Sequence, residues 1–266
     1  MNQFPITQDL ILNNKNGWLE IRLNNAINRN ALKESLVEDL LTVFEVAKDN
    51  KDIRGIVLRG DGGVFCAGAD LKKMKKITES GKDAKKQAYD LSITIGTLLK
   101  VINQAPQIVV SVTEGFALAG GFGIACASDF VISLENTKFG LTETKIGLTP
   151  SQISKYVINK LGFSKARKMM LLGTLIDGLE ASKVGLVDFV VKNNVELEKK
   201  IKDFKAQVND CSPNAIATTK KILSINQNID SHLAADLFSD SIISNDGKEG
   251  FDSFFNKRKP SWSIKK

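Results

Sequence analysis

Three segments of the chain carry residues whose types and spacing could support acyl chemistry. In the first, Val64-Phe65-Cys66-Ala67-Gly68-Ala69-Asp70-Leu71, the small residues Ala67 to Ala69 let a ligand approach the backbone. The following Asp70-Leu71-Lys72 can open a helix whose unpaired N–H groups point outward. The second segment, Ala119-Gly120-Gly121-Phe122-Gly123, starts an apolar helix. Taken singly, each is explained as well by close packing at a helix start. Together they offer two backbone N–H groups converging on an oxygen that develops negative charge, as a thioester carbonyl does when it becomes an enolate. The third segment, Lys138 to Pro150, carries Glu143 in a loop between Gly140 and Gly147, where a solvated surface glutamate is the plain alternative.

Composition limits what else these residues can be part of. The 266 residues are 42% hydrophobic and 25% charged, which fits a globular protein with a substantial core and excludes a disordered, collagen-like or coiled-coil chain. Lys plus Arg number 37 against 30 Asp plus Glu, and the formal charge of +7 favours polyanionic partners: nucleic acid, anionic lipid or a ligand with several phosphates. The longest run without a charged or strongly polar residue, Phe116 to Ala127, falls short of the roughly 20 residues a membrane span needs. Met1-Asn2-Gln3-Phe4-Pro5 resembles no secretory or organelle address, so a cytoplasmic location is expected. His232 is the only histidine and lies in a helix-like stretch, which excludes multi-histidine metal centres and leaves acid–base work to carboxylates, Lys, Tyr or Cys. Cys66, Cys126 and Cys211, odd in number and widely spaced, read as buried thiols rather than as disulfides or metal ligands.

The elements that must position these residues follow from periodicity. Ile6 to Leu12 and Trp18 to Leu23 read as an antiparallel hairpin turning at residues 13–17. Apolar residues at helical spacing mark an amphipathic helix over 31–48, and a buried strand follows at 53–58. A lysine-rich helix over about 72–86 and a more apolar one over about 87–103 lead to a strand at 108–113, an apolar helix from Gly120, and a strand at 130–133. Strands alternating with helices predict an α/β core. After one more strand at 187–191 only helices are expected, over about 195–210, 213–227, 231–243 and 246–257.

The whole set resembles the enoyl-CoA hydratase/isomerase (crotonase) superfamily. The resemblance rests on Phe65-Cys66-Ala67-Gly68-Ala69-Asp70-Leu71, Glu114 to Gly121, Ser128-Asp129, Phe139 to Glu143, Gly185-Leu186-Val187-Asp188 and Lys257-Arg258-Lys259-Pro260, in this order and at these spacings. It implies a crotonase-like ββα spiral core, assigned to residues 1–205, and a C-terminal helical region, 206–266, that builds a homotrimer or a dimer of trimers. It also implies acyl-CoA substrates, with no cofactor beyond the coenzyme A that the substrate itself carries. By position, the oxyanion N–H groups fall on Ala69 and Gly120, and Glu143 is the acid/base. Contacts to substrate or CoA are implied for Ala67, Asp70, Leu71, Lys72, Gly121 and Gly123, with Asn28 to Ala31 and Lys257 to Lys259 as further candidates.

One departure from the family pattern bears on mechanism. Many hydratases of the family use two glutamates, whereas here the first position is Gly123 and only Glu143 is kept. A single carboxylate must both activate water and return a proton to the α-carbon, and it would do so best with its pKa raised by apolar neighbours such as Ile146 and Leu148. The surrounding text, together with Ala105-Pro106-Gln107, Cys211 to Ala215 and Arg258 to Trp262, resembles the branch that hydrates methylglutaconyl- and isohexenylglutaconyl-CoA, the latter most closely. Losing an anion suits a substrate with an extra carboxylate, and Gly123 is expected to leave room for its branch. Ser151 or Gln152 is a candidate partner for water or that carboxylate, with capping of the next helix as the alternative. The reading is a hydro-lyase acting on a 2-enoyl-CoA. An isomerase using Glu143 alone is the main rival. A non-catalytic CoA- or RNA-binding member is disfavoured because no basic stripe interleaved with aromatic residues is present.

Overall fold

The computed structural model describes residues 4–225 and 229–263. β1 (Leu10–Lys15) and β2 (Trp18–Leu23) pair antiparallel through a two-residue turn. Asn16 and Gly17 both take positive φ there (53° and 75°), the backbone that a tight hairpin demands. The first strand therefore starts later than its apolar run suggests and continues through Asn13, Asn14 and Lys15. These polar residues are tolerated because β1 is an edge strand and they face outward.

The amphipathic α1 (Glu34–Lys48) buries Leu36, Val37, Leu40, Val43, Phe44 and Ala47. β3 (Gly55–Gly60) is followed by α2 (Leu71–Thr78) and α3 (Ala84–Gln104), which break apart at Gly81, where φ is +63°. Next come β4 (Ile108–Thr113), β5 (Phe116–Leu118), α4 (Gly120–Ala127), β6 (Phe130–Leu134) and β7 (Lys138–Gly140). α5 (Ser154–Leu161), α6 (Phe163–Leu172), β8 (Leu175–Ile176), α7 (Gly178–Val184), β9 (Phe189–Val191) and α8 (Asn194–Asn209) complete the core.

The large sheet runs β1-β2-β3-β4-β6-β9 and is parallel except for the opening hairpin; a small sheet, β5-β7-β8, lies beside it. Alternation along the parallel strands feeds two cores. Ile56, Leu58 and Val109 face α1, α3 and α4, while Val57, Val110, Val112 and Ile132 face Leu197, Ile201, Phe204 and Val208 of α8. The expected α/β core with a C-terminal helical region is thus present. The boundary expected at 205/206 cuts through α8, which covers the sheet as far as Val208, so the chain leaves the core only at Asp210.

Beyond it lie α9 (Pro213–Ile225), α10 (Ser231–Ile243) and α11 (Asn245–Phe255). Residues 226 and 227, the expected end of the first of these helices, lie outside the described residues. Arg54, just before β3, anchors the far end of the chain: its guanidinium donates to the Cys211 carbonyl at 2.5 Å and the Trp262 carbonyl at 2.6 Å. Among the described residues no helix is long and apolar enough to cross a membrane.

Candidate functional site

Strand register sets the site. Cys66 bridges Ala117 in parallel, and Ala117 in turn pairs with Phe139. Three stretches of backbone therefore run side by side in one direction: 65–67 after β3, β5 after β4, and β7 after β6. Each leads almost at once to a candidate residue. Counting forward along the chain, Ala69 and Gly120 each lie three residues beyond this row and Glu143 lies four beyond it. Three successive turns of the chain thus reach their candidate residue within three or four residues of one aligned row.

The two backbone N–H groups are close and uncommitted. A Cβ built on Gly68 would lie 3.4 Å from the Gly120 nitrogen, and one built on Gly120 would lie 3.8 Å from Gly68 Cα. Among the described residues neither the Ala69 nor the Gly120 N–H has an acceptor, although their neighbours do: Ala67 donates to Arg29, Leu118 to Cys66 and Ala119 to Gly140. Ala119 holds φ 45° and ψ −112°, a conformation that L-residues rarely adopt, immediately before the first N–H of α4. Leu32 covers Gly120, and its N–H bonds to Gly68 O at 2.8 Å, which ties the segment ahead of α1 to the Gly68 turn.

Glu143 opens a single 3-10 turn, 143–146, directly after β7. Its Oε2 is buried and has no protein partner, the only carboxylate oxygen in that state among the described residues. Burial pushes the Glu143 carboxyl above the usual carboxylate range, and a bond from its own backbone N–H offsets only part of the shift. Ile146 and Leu148, the neighbours expected to cause this, are themselves 56% and 40% exposed.

The other acidic residues of the motifs are committed to structure. Asp70, expected to contact substrate or CoA, caps α2 by accepting from the Lys72 and Lys73 N–H groups. Glu114 pairs with Arg59 at 2.7 Å. Asp129 accepts from Val109 N–H and Lys220, and Asp188 from Val131 N–H and Lys160.

Leu71 and Lys72 are exposed at the start of α2, while Lys73 pairs with Glu34. Gly121 packs on the Cys66 carbonyl, only 2.4 Å from where its Cβ would be, so packing alone requires a glycine here. The room expected beside Gly123 is filled: a Cβ there would meet Ile153 Cγ1 and Cγ2 at 3.1 Å. Gln152 donates to Ser92 on α3 and Ser151 shares a hydrogen bond with Thr149. In the C-terminal segment Arg258 is engaged by Glu249 and Asp252.

Cys66 and Cys126 are buried as expected, the Cys66 thiol pushed up to about 12 by burial, whereas Cys211 is exposed. His232 is exposed in the first turn of α10. Asn30, expected only as part of the candidate CoA-contacting stretch 28–31, is instead fully buried and ties together the loops around the first segment, a role that sequence reasoning did not give it. It donates to the Asp61 and Val64 carbonyls and accepts from Asn25 N–H.

Known proteins share this architecture. The mitochondrial methylglutaconyl-CoA hydratase of Mus musculus is 29% identical over 257 residues, 92% of this chain and 79% of that protein. Among solved structures, Pseudomonas aeruginosa AtuE matches with a TM-score of 0.92 at 36% identity, covering 96% of this chain and 100% of that one. An enoyl-CoA hydratase/isomerase from Marinobacter aquaeolei matches with a TM-score of 0.91 at 35% identity, covering 96% and 99%. The profile of the enoyl-CoA hydratase/isomerase family matches residues 13–265, and with the spiral of sheets and helices described above this makes the chain a member of that family, the crotonase superfamily.

Proposed function

We propose that the protein hydrates a 2-enoyl-CoA thioester of the branched, glutaconyl type. The observation that carries this is the partnerless, buried Oε2 of Glu143, a few residues beyond the same aligned strand row that leads to the free Ala69 and Gly120 N–H groups. Those two donors hold the thioester oxygen as it gains charge, aided by the N-terminal end of α4. Glu143 takes a proton from water as the oxygen attacks the β-carbon, then delivers that proton to the α-carbon of the enolate. A carboxyl with a raised pKa suits both halves of this exchange, since it takes and releases a proton near neutral pH more readily than an ordinary glutamate. Coenzyme A arrives as part of the substrate, with Lys72 and the backbone of residues 67–71 as its contacts. The likeness to a methylglutaconyl-CoA hydratase supports the branched acyl group.

Isomerisation is the second reading, because one carboxylate suffices to move a proton between two carbons and the family includes isomerases. Incubation with methylglutaconyl-, isohexenylglutaconyl- and linear 2-enoyl and 3-enoyl thioesters separates the two. Hydration adds the mass of a water, and isomerisation leaves the mass unchanged. Replacing Glu143 by Gln should abolish turnover while CoA-ester binding persists; full activity in that variant would overturn the assignment.

The oligomer belongs to the same proposal. α10 and α11 expose five large apolar side chains, Phe238, Ile243, Phe251, Phe254 and Phe255, and contiguous exposed apolar surface marks interaction sites. A trimer or a dimer of trimers would cover it, and light scattering on the purified protein tests this.

A further inference from the structure

Two glycines leave notches in neighbouring helices, and two consecutive residues of one loop fill them. A Cβ on Gly96, within α3, would fall 2.2 Å from Oε1 of Gln152, whose Nε2 donates to Ser92 one turn earlier in the same helix. A Cβ on Gly123, within α4, would fall 3.1 Å from both γ-carbons of Ile153. Ile153 is buried, whereas residues 144–149 of the same loop are exposed, so the loop that leaves Glu143 returns to the core here. Residues three apart share a helix face, so Gly123 lies one turn beyond the free N–H of Gly120. The branched side chain of Ile153 therefore occupies the volume beside the cradle that a side chain at 123 would otherwise take. It is stiff at χ1, seated against Gly123 and held from behind by the Gln152–Ser92 bond.

We infer that Ile153 is a specificity-determining residue: it is the wall that limits the width of the acyl chain next to the reacting carbons. This rests on the hydratase reading above. A wall of carbon offers neither charge nor hydrogen bond, so it sorts acyl groups by shape, and removing its methyl groups should admit bulk that the wild type excludes.

The test compares kcat/KM for an unbranched ester, crotonyl-CoA, with that for one that carries a methyl branch on the β-carbon, 3-methylcrotonyl-CoA. Ile153→Ala should shift the ratio toward the branched ester about tenfold, the usual scale for one or two methylenes in an apolar pocket. Ile153→Val should move it the same way by less, which preserves the test if the alanine variant folds poorly. Gly123→Ala presses on Ile153 and should lower turnover of both esters, with Ile153→Ala in the same chain restoring it. A ratio unchanged in both Ile153 variants, with all activities lowered alike as for Val157→Ala at a fully buried position of α5, would mean that Ile153 is only core and would overturn the inference. Affinities for butanoyl-CoA and 3-methylbutanoyl-CoA give the same ratio without chemistry. A shifted affinity ratio without any hydration defeats the assigned reaction and upholds Ile153.

Discussion

Gly68 and Gly120 face each other with no room for a side chain between them: a Cβ placed on Gly68 would stand 3.4 Å from the Gly120 nitrogen and 2.8 Å from Ala119 Cβ. Gly68 also holds φ at +98°, where a side chain is strained whatever the space. Gly68→Ala should therefore spread the two N–H groups as well as strain the turn. The expected cost is about 1–2 kcal/mol in stability from the φ alone, and about 100-fold in kcat, the scale of losing one oxyanion donor. Thermal melts and steady-state kinetics measure both, and a variant that melts lower but keeps its kcat would dissociate this contact from catalysis.

Glu143 makes a prediction about pH with a definite sign. Burial raises its pKa above the 4.5 of a free glutamate, so the fold disfavours the charged carboxylate. Its favourable contribution is complete below the unfolded pKa and is lost as pH rises through the folded one. Glu143→Gln should accordingly match the wild type in stability at pH 4 and exceed it at pH 8. Activity needs the carboxylate as base, so the acid limb of kcat/KM should fall above 4.5 rather than at it. Chemical denaturation at the two pH values and a pH–rate profile provide the readouts.

Some of this was legible in the residues and some was not. Long elements with strong periodicity, such as α1 and β4, follow from apolar spacing alone, and the small residues around Gly68 and Gly120 mark both halves of the cradle. The three-residue strands β5 and β7 have no period to detect, yet their register aligns the three stretches of backbone that lead to Ala69, Gly120 and Glu143. Gly123 shows why a missing side chain cannot be equated with space: Ile153, distant in sequence, fills the gap. Asp70 shows the converse, since a motif acid at a helix start satisfies backbone N–H groups whether or not a ligand is near. The strained Ala119 leaves no trace in composition.

The Asp70 cap is itself testable. Its Oδ1 accepts from Lys72 N–H at 2.9 Å and Lys73 N–H at 3.3 Å, at the mouth of a short helix with little burial of its own. Asp70→Ala should cost about 1 kcal/mol, and Asp70→Asn, which keeps a capping oxygen, much less. Calorimetric melts of the two variants decide between a cap and a ligand contact: a ligand contact would instead move KM for CoA esters with stability unchanged.

Lys220 and Asp129 connect the C-terminal helices to the core. Lys220, on α9, reaches the Asp129 carboxylate at 2.6 Å and the Gln107 carbonyl at 2.8 Å, and the same carboxylate accepts Val109 N–H at 2.7 Å. Burial pushes Asp129 up and Lys220 down, each opposed by the other's charge. Lys220→Met leaves a buried carboxylate with one backbone donor and the more distant charge of Lys160, a loss of about 3 kcal/mol, the lower end for breaking a buried pair. Without Lys220 the Asp129 pKa rises further, so protonation at low pH relieves the variant, and its deficit should be smaller at pH 5 than at pH 8. Denaturant titrations at both pH values measure this, and a deficit independent of pH would mean that Lys220 contributes through packing of its aliphatic stem rather than through its charge.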